Sequence, residues 1–438
     1  MRVARPGARV CTSAGAFREP RASGVRAAAC VPAILPMVVL AVLAFCAAVL
    51  APVSARAADV VAIAAAIEDA GAETLLVFTL SAPVEPRVFA IDRPERIVVD
   101  LPRVNFQIPA EEGARAGGLV ASMRWGLFAP DRARVVIALA GPATVTDVTV
   151  SARDDGAHLL TLTLAAVRTD AFAARVATDA DAFRMASLRP AIAPEPAPAD
   201  ARPTIVIDPG HGGIDPGAIA AGGVEEADIV LAFAIRLRER LAESGRFRVL
   251  MTRETDVFVP LTERVGFARR AQADLFVSIH ADSISSAPQV SGLTVYTNSD
   301  EASDRESATL AARENSADAL AGFETQEARD EVADILRDLA ARETRGYSHV
   351  FATTLVDGMD GVARLNKNPH RQAGFVVLRA HDVPSVLVEL GYLSSRSDIA
   401  LLTSQEWKDR ATAAMTASID RFFAPRLGDR ADAAAVSP

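Results

Sequence analysis

Prolines at positions 190, 194, 196 and 198 divide this chain of 438 residues into two stretches with different patterning. Proline lacks an amide proton and fixes its own φ, so a run this dense favours extended, semi-rigid chain over packed structure. Residues 169–202, rich in Ala and Pro, are therefore expected to form an interdomain linker. The length points the same way, because it exceeds what one compact domain usually holds.

Ahead of the linker, residues 59–168 carry short apolar stretches separated by turn residues. Thr74–Leu80, Arg96–Leu101, Arg134–Leu139 and His158–Leu164 are examples. Their length, β-branched content and spacing predict an all-β sandwich. Asp92-Arg-Pro-Glu95 and Asp154-Asp-Gly156 read as turns, and nothing in this half has a catalytic pattern. After the linker, residues 203–425 alternate strand-like and helix-like patterns, which predicts an α/β domain with a mixed sheet flanked by helices. Strands are expected at Thr204–Ile207, Arg248–Thr252, Leu275–Ile279, Leu293–Tyr296 and Ser385–Glu389. Ile229, Phe233, Leu237 and Leu241 recur every four residues and mark one face of a helix. A disordered tail is expected over 426–438.

The N-terminus reads as an export signal: scattered arginines, an apolar run from Val31 to Val53, then Ala55-Arg56-Ala57. Cleavage after Ala57 is expected, leaving a periplasmic protein with no stable membrane anchor. Cys11, Cys30 and Cys46 all lie within residues 1–57, so the mature chain has neither disulfides nor thiolate metal ligands. Removing that segment takes seven arginines and one glutamate from the 46 basic and 55 acidic residues, leaving a net charge of −15. Such a surface argues against nucleic acid as a partner.

Two of the six histidines occupy the same kind of position. His211 sits in a glycine-rich turn directly after one expected strand, and His280 ends another. Ligands of open α/β sheets gather at the carboxyl ends of strands, so both imidazoles can reach one metal there. A third ligand is expected from Glu225, Glu226 or Asp228, just before the amphipathic helix. Two imidazoles, one carboxylate and an open position suit catalytic zinc.

Four ordered segments, Ile205–Ala218, Glu226–Leu231, Ser278–Asp282 and Val386–Ser394, resemble the motifs of zinc-dependent N-acetylmuramoyl-L-alanine amidases of the division type. The resemblance implies one Zn²⁺ per chain on His211, Glu226 and His280, with Glu389 as the catalytic carboxylate. It implies hydrolysis of the bond between N-acetylmuramic acid and L-alanine of the peptidoglycan stem peptide, in wall remodelling and daughter-cell separation. Asn366–Arg371 also resembles a family segment, and Asn368 and Arg371 are expected to line the substrate groove. One departure is Ser395, where the family often has Asn. The first half resembles the AMIN domain that precedes such catalytic units, which implies a peptidoglycan-binding module.

Residues 299–345 form a charged excursion. Ser303-x-x-Glu306 has the form of a capping box, and Val332, Ile335, Leu336 and Leu339 mark a second helical face. Helices inserted here resemble the autoinhibitory region of division amidases, which implies a LytM-type protein activator. A carboxylate filling the open metal position would exclude substrate, and Glu314 is the expected plug because Glu306 already serves as a cap. A zinc peptidase would be the rival enzyme, but no His-Glu-x-x-His helix is present.

Overall fold

The computed structural model describes residues 59–113, 115–187, 194, 202–220, 222–284, 290–322 and 335–436. The expected export signal, most of 188–201, Val332 and the last two residues lie outside these. Among the described residues, no helix is long and apolar enough to cross a membrane.

The first half is a nine-stranded β domain. Its strands are β1 (Val60–Asp69), β2 (Glu73–Leu80), β3 (Arg87–Ile91), β4 (Arg96–Pro102), β5 (Val104–Phe106), β6 (Val120–Ala129), β7 (Arg132–Leu139), β8 (Ala143–Ala152) and β9 (His158–Ala166), with a single-turn helix α1 (Ala110–Gly113) before β6. They form a five-stranded sheet, β5-β1-β2-β9-β8, and a four-stranded sheet, β3-β4-β7-β6. Alternation along β2 sends Leu76, Phe78 and Leu80 into the core shared with Ile97, Val99 and Leu101 of β4. In β4 the opposite face is buried as well, with Arg96, Val98 and Asp100 pointing away from that core. Something must cover it.

Part of the cover corrects the expected linker. Thr169–Ser187 is a helix, α2, not extended chain. The prolines begin only at 190, so nothing forbids a helix before them, and Phe172, Val176 and Phe183 give it an apolar face. Asp179 on α2 accepts the backbone N–H of Ala90 at 2.9 Å, satisfying a donor of edge strand β3.

The second half contains β10 (Thr204–Pro209), α3 (Glu226–Glu243), β11 (Arg248–Met251), α4 (Leu261–Arg270), β12 (Leu275–His280), β13 (Leu293–Asn298), α5 (Arg305–Glu314), α6 (Ala317–Leu320), α7 (Ile335–Met359), β14 (Leu365–Ala373), β15 (Ser385–Glu389), α8 (Arg396–Leu402) and α9 (Gln405–Val436). The sheet order is β11-β10-β12-β15-β13-β14. Strands β11, β10, β12 and β15 run parallel, and β13 reverses against β15. Helices α3, α7 and α9 pack on one face, α4 and α5 on the other. The face of α3 is the expected one, with Phe233, Leu237 and Leu241 buried. The mixed sheet flanked by helices, preceded by a β domain, is the architecture expected from sequence.

Asn366–Arg371 belongs to β14, an edge strand, where polar residues and Pro369 are tolerated because one side needs no partner. Two local expectations need correction. The cap of α5 is Asp304, one residue after Ser303, and it accepts the N–H of Ser307 at 2.8 Å; Glu306 instead pairs with Arg371. The C-terminal helix runs through Pro425 to Val436 where a tail was expected. Ser395 caps α8, accepting the N–H of Asp398. Asn caps helices equally well, which explains the exchange in physical terms.

Candidate metal centre

The carboxyl ends of three adjacent strands supply the site. Asp208 and Pro209 end β10, His280 ends β12 and Glu389 ends β15, with His280 and Glu389 in register. His211 lies two residues past β10, and Glu226 opens α3.

The turn carrying His211 is held by buried arginines. His211 adopts φ +56°, a left-handed conformation that costs energy in a residue with a Cβ. Arg264 secures it by donating to the His211 carbonyl at 2.8 Å, to Pro209 O at 2.7 Å and to Asp208 Oδ1 at 2.8 Å. Asp208 also accepts from Thr252 and Ser278, so it is a fully paired buried carboxylate. Glycine is required at two places here: a Cβ on Gly210 would lie 2.4 Å from the His280 ring, and one on Gly217 2.7 Å from Glu226 Oε2.

Four side chains converge. His211 Nε2 lies 3.1 Å from Glu226 Oε1 and 3.4 Å from Glu314 Oε2. His280 Nδ1 lies 3.3 Å and 3.2 Å from the same two oxygens. Both ring nitrogens are buried and make no hydrogen bond. Buried polar atoms without partners are rare, and two aimed at one point mark a place for a cation. Donors about 2.0–2.1 Å from a tetrahedral centre sit about 3.3 Å apart, which is the spacing observed.

Either carboxylate can serve as the third ligand by distance alone, and His211, His280 and Glu314 form one group of potential donors. Their supports differ. Glu226 is fully buried and fixed by backbone N–H groups, Ala281 N at 2.9 Å to Oε1 and Ala218 N at 3.0 Å to Oε2. Glu314 arrives on the insert helix α5.

Electrostatics follow from the crowding. Burial disfavours a charged His211 ring, but the Glu226, Asp215 and Glu314 carboxylates outweigh it and raise its pKa well above the usual value. Burial likewise opposes ionisation of Glu226, and the two rings reverse that, holding its pKa well below the ordinary range. Glu389 has no such cation. Burial, then the charges of Glu226, Asp282 and Glu314, push its pKa well up. Its Oε2 accepts the N–H of Asp282 at 3.0 Å, and its Oε1 is buried without a partner.

Sequence reasoning missed three residues. Asp215 Oδ2 lies 2.8 Å from His211 Nδ1; as a carboxylate it takes that N–H, leaving Nε2 as the metal-facing lone pair. The Gly-Gly-Ile-Asp-Pro-Gly run places it four residues after His211, a readable signal. Asp282 and Arg313 form an ion pair at 2.7 Å beside the site. Burial and the charges of Glu226 and Glu314, opposed by Arg313, push Asp282 up to about 8. Nothing in their spacing could have paired these two residues.

The expected groove residues are placed differently. Asn368 is exposed, whereas Arg371 is buried beneath the insert, bonded to Asn366 Oδ1 and paired with Asp304 and Glu306. Glu314, with Asn315 and Ala317 after it, closes a small cavity of about 10 Å³ beside His211, Asp215 and His280.

Residues 205–421 match a family model described as N-acetylmuramoyl-L-alanine amidase, and residues 65–161 match the AMIN domain. The chain is 30% identical over 352 residues to the N-acetylmuramoyl-L-alanine amidase AmiC of Escherichia coli O6:H1, covering 77% of this chain and 83% of that protein. It is 37% identical over 223 residues to AmiC of Neisseria meningitidis serogroup B, covering 51% of this chain and 53% of that protein. To AmiA of Escherichia coli K12 it is 35% identical over 220 residues, 50% of this chain and 75% of that one.

Proposed function

Since the chain belongs to the N-acetylmuramoyl-L-alanine amidases and carries an AMIN domain, we propose that it works with one zinc ion, held by His211, Glu226 and His280. Its activity is that of a peptidoglycan amidase in cell-wall remodelling. The observation that carries the metal reading is the pair of unpartnered, buried ring nitrogens facing the same carboxylate oxygens. Three neutral or anionic N and O donors suit zinc, and none is a thiolate.

Bound there, zinc supplies Lewis acidity for the amide carbonyl and for the attacking water. The rest of the chemistry belongs to the chain. Glu389 Oε1 takes the proton of the attacking water and passes it to the departing amine of L-alanine, while the Asp282 N–H holds Oε2 in place. Asp215 keeps His211 in the required tautomer. Glu226, tied to two backbone N–H groups, cannot swing away.

In the resting state Glu314 occupies the position that substrate and water need, and Arg313 latches its helix to Asp282 and to Ser283 O. Activity therefore requires displacement of α5. Displacement would also free Arg371, now paired with Asp304 and Glu306, to meet the charged stem peptide beside Asn368. A protein activator of the LytM type is the proposed trigger, and Tyr347 and Val350, exposed on α7, offer it an apolar contact. The expected export signal supports a periplasmic location, and the AMIN domain joined to an amidase unit, as in division amidases, supports a role in daughter-cell separation. The β domain contributes Phe106, Arg124 and Trp125 to a cleft of about 550 Å³ bordering Gly217, which supports a wall-binding role for it.

Prolonged digestion of purified sacculi by the wild type and by Glu314→Ala, with and without chelator, tests the reaction by mass analysis of the products. Free stem peptides and unsubstituted glycan strands, both abolished by chelator, are the expected result. Cleaved cross-links on still-substituted glycan would make the enzyme a peptidase.

A further inference from the structure

The segment that follows the plug does not end in the catalytic domain. Helix α6 and the two residues after it lie against the outer face of the sheet β3-β4-β7-β6 in the AMIN domain. Ala321 is fully buried there among Phe89, Val98, Phe128, Val136 and Phe183. A Cβ on Gly322 would sit 3.3 Å from Val98 and 3.6 Å from the Arg134 guanidinium. The last carbonyls of a helix have no partner within it and carry partial negative charge. The sheet supplies two cations for them: Arg96 donates to Ala319 O, and Arg134 donates to Ala321 O at 3.2 Å.

Arg134 is itself rigidly placed. It is fully buried, forms a two-point ion pair with Asp100 at 2.6 and 2.9 Å, and lies over the Phe128 ring at 4.1 Å. This explains why β4 is buried on both faces. It is a built receptor for a helix end.

From Glu314 to Ala321 there are only seven residues. Asn315, at the cap of α5, is bonded to Gly374 O and Val376 N of the catalytic domain, and Asp318 accepts the N–H of Leu261. The plug thus has two anchors: the catalytic domain holds the turn beside it, and the AMIN domain holds the turn beyond.

We propose that this face of the AMIN sheet is a docking surface for residues 317–322 and that, by holding them, the AMIN domain helps keep Glu314 in the metal site. The inference rests on the plug reading given above. It makes the wall-binding module a participant in inhibition, so that any ligand or force that loosens the AMIN face from the segment raises hydrolysis.

The test uses the full mature chain and the substitution Ala321→Glu, whose longer side chain has no room where Ala321 is fully buried against Phe89, Val98, Phe128, Val136 and Phe183, and which leaves the proposed metal ligands and Glu389 untouched. The domains keep another contact, since the N–H of Phe258 donates to Leu127 O at 3.1 Å. Hydrogen exchange across 305–322 and basal release of stem peptides from sacculi are measured together for the wild type, A321E, E314A and the double variant. The expected result is loss of protection over 317–322 with a rise in basal rate of roughly fivefold, the shift expected from losing a hydrogen bond of average worth. The double variant should be no faster than E314A. Arg96→Met, a milder change on the same face, should move both readouts in the same direction and serves if A321E fails to fold. Retained protection in A321E overturns the proposal, and so does lost protection with an unchanged rate while E314A is faster than wild type. An unchanged rate in E314A would instead remove the plug reading, and this inference with it.

Discussion

On the floor of the site, Arg253 and Arg264 are buried and give their N–H groups to the carbonyls of residues 209–211, while Glu226 is pinned by two backbone N–H groups. Over it, α5 is latched by Arg313, whose side chain is 43% exposed, and Glu314 reaches the same two imidazoles from this insert helix. Charged hydrogen bonds shielded from water are strong, whereas a half-exposed ion pair is worth little. The same two imidazoles therefore face one carboxylate pinned by backbone groups and one carried on a half-exposed latch. On the proposed reading this difference separates chemistry from control: residues below the metal stay fixed, and residues above it move.

Substitutions can break that division from either side. Glu389→Gln should lower hydrolysis by about 10²- to 10⁴-fold, the usual worth of a general base, while the protein still binds one zinc. Loss of zinc together with activity would show that Glu389 belongs to the ligand set. Asp215→Asn should weaken zinc binding by about 10- to 100-fold in chelator competition, as expected for the partner of a ligating histidine. An unchanged zinc affinity would mean that the 2.8 Å contact to His211 is structural only. Arg313→Ala is the smallest change. Because that ion pair is partly solvated, basal hydrolysis should rise by less than about fivefold, and a high-salt assay of the wild type should move it the same way. A fall in rate would mean that Arg313 serves the substrate instead of the latch.

Much of the floor is legible in sequence because chemistry restricts it. Histidines at strand ends, glycines where a Cβ would strike a ring, and a helix opening on glutamate leave few substitutes, and ordered motifs fix the choice of Glu226 over its neighbours. The β-strands with clean alternation, such as β2, and the apolar face of α3 are legible for the same reason: one repeat decides one face. The rest depends on tertiary partners that spacing does not encode. Helix α2 hides behind the prolines that follow it, and its role as cover for β3 depends on a hydrogen bond 89 residues away in sequence. Strand β14 gives no strand pattern in sequence because its polar residues are allowed only by its place at the sheet edge. Asp208 and Arg264 look like ordinary surface charges until the fold brings them together in the core from 56 positions apart in sequence. The position of Glu314 in the insert was readable as an expectation, but the AMIN receptor beyond it was not. Arg96, Val98 and Arg134 read only as residues of two strands.

Zinc content and basal rate, measured together on the wild type and on Glu314→Ala without any activator, test the division between floor and cover most directly. Both proteins should hold one zinc per chain, and the variant should release stem peptides faster, within the roughly 5- to 150-fold span of typical couplings. A variant that loses its zinc, or that keeps it and works no faster than wild type, would contradict the assignment of Glu226 as ligand and Glu314 as plug.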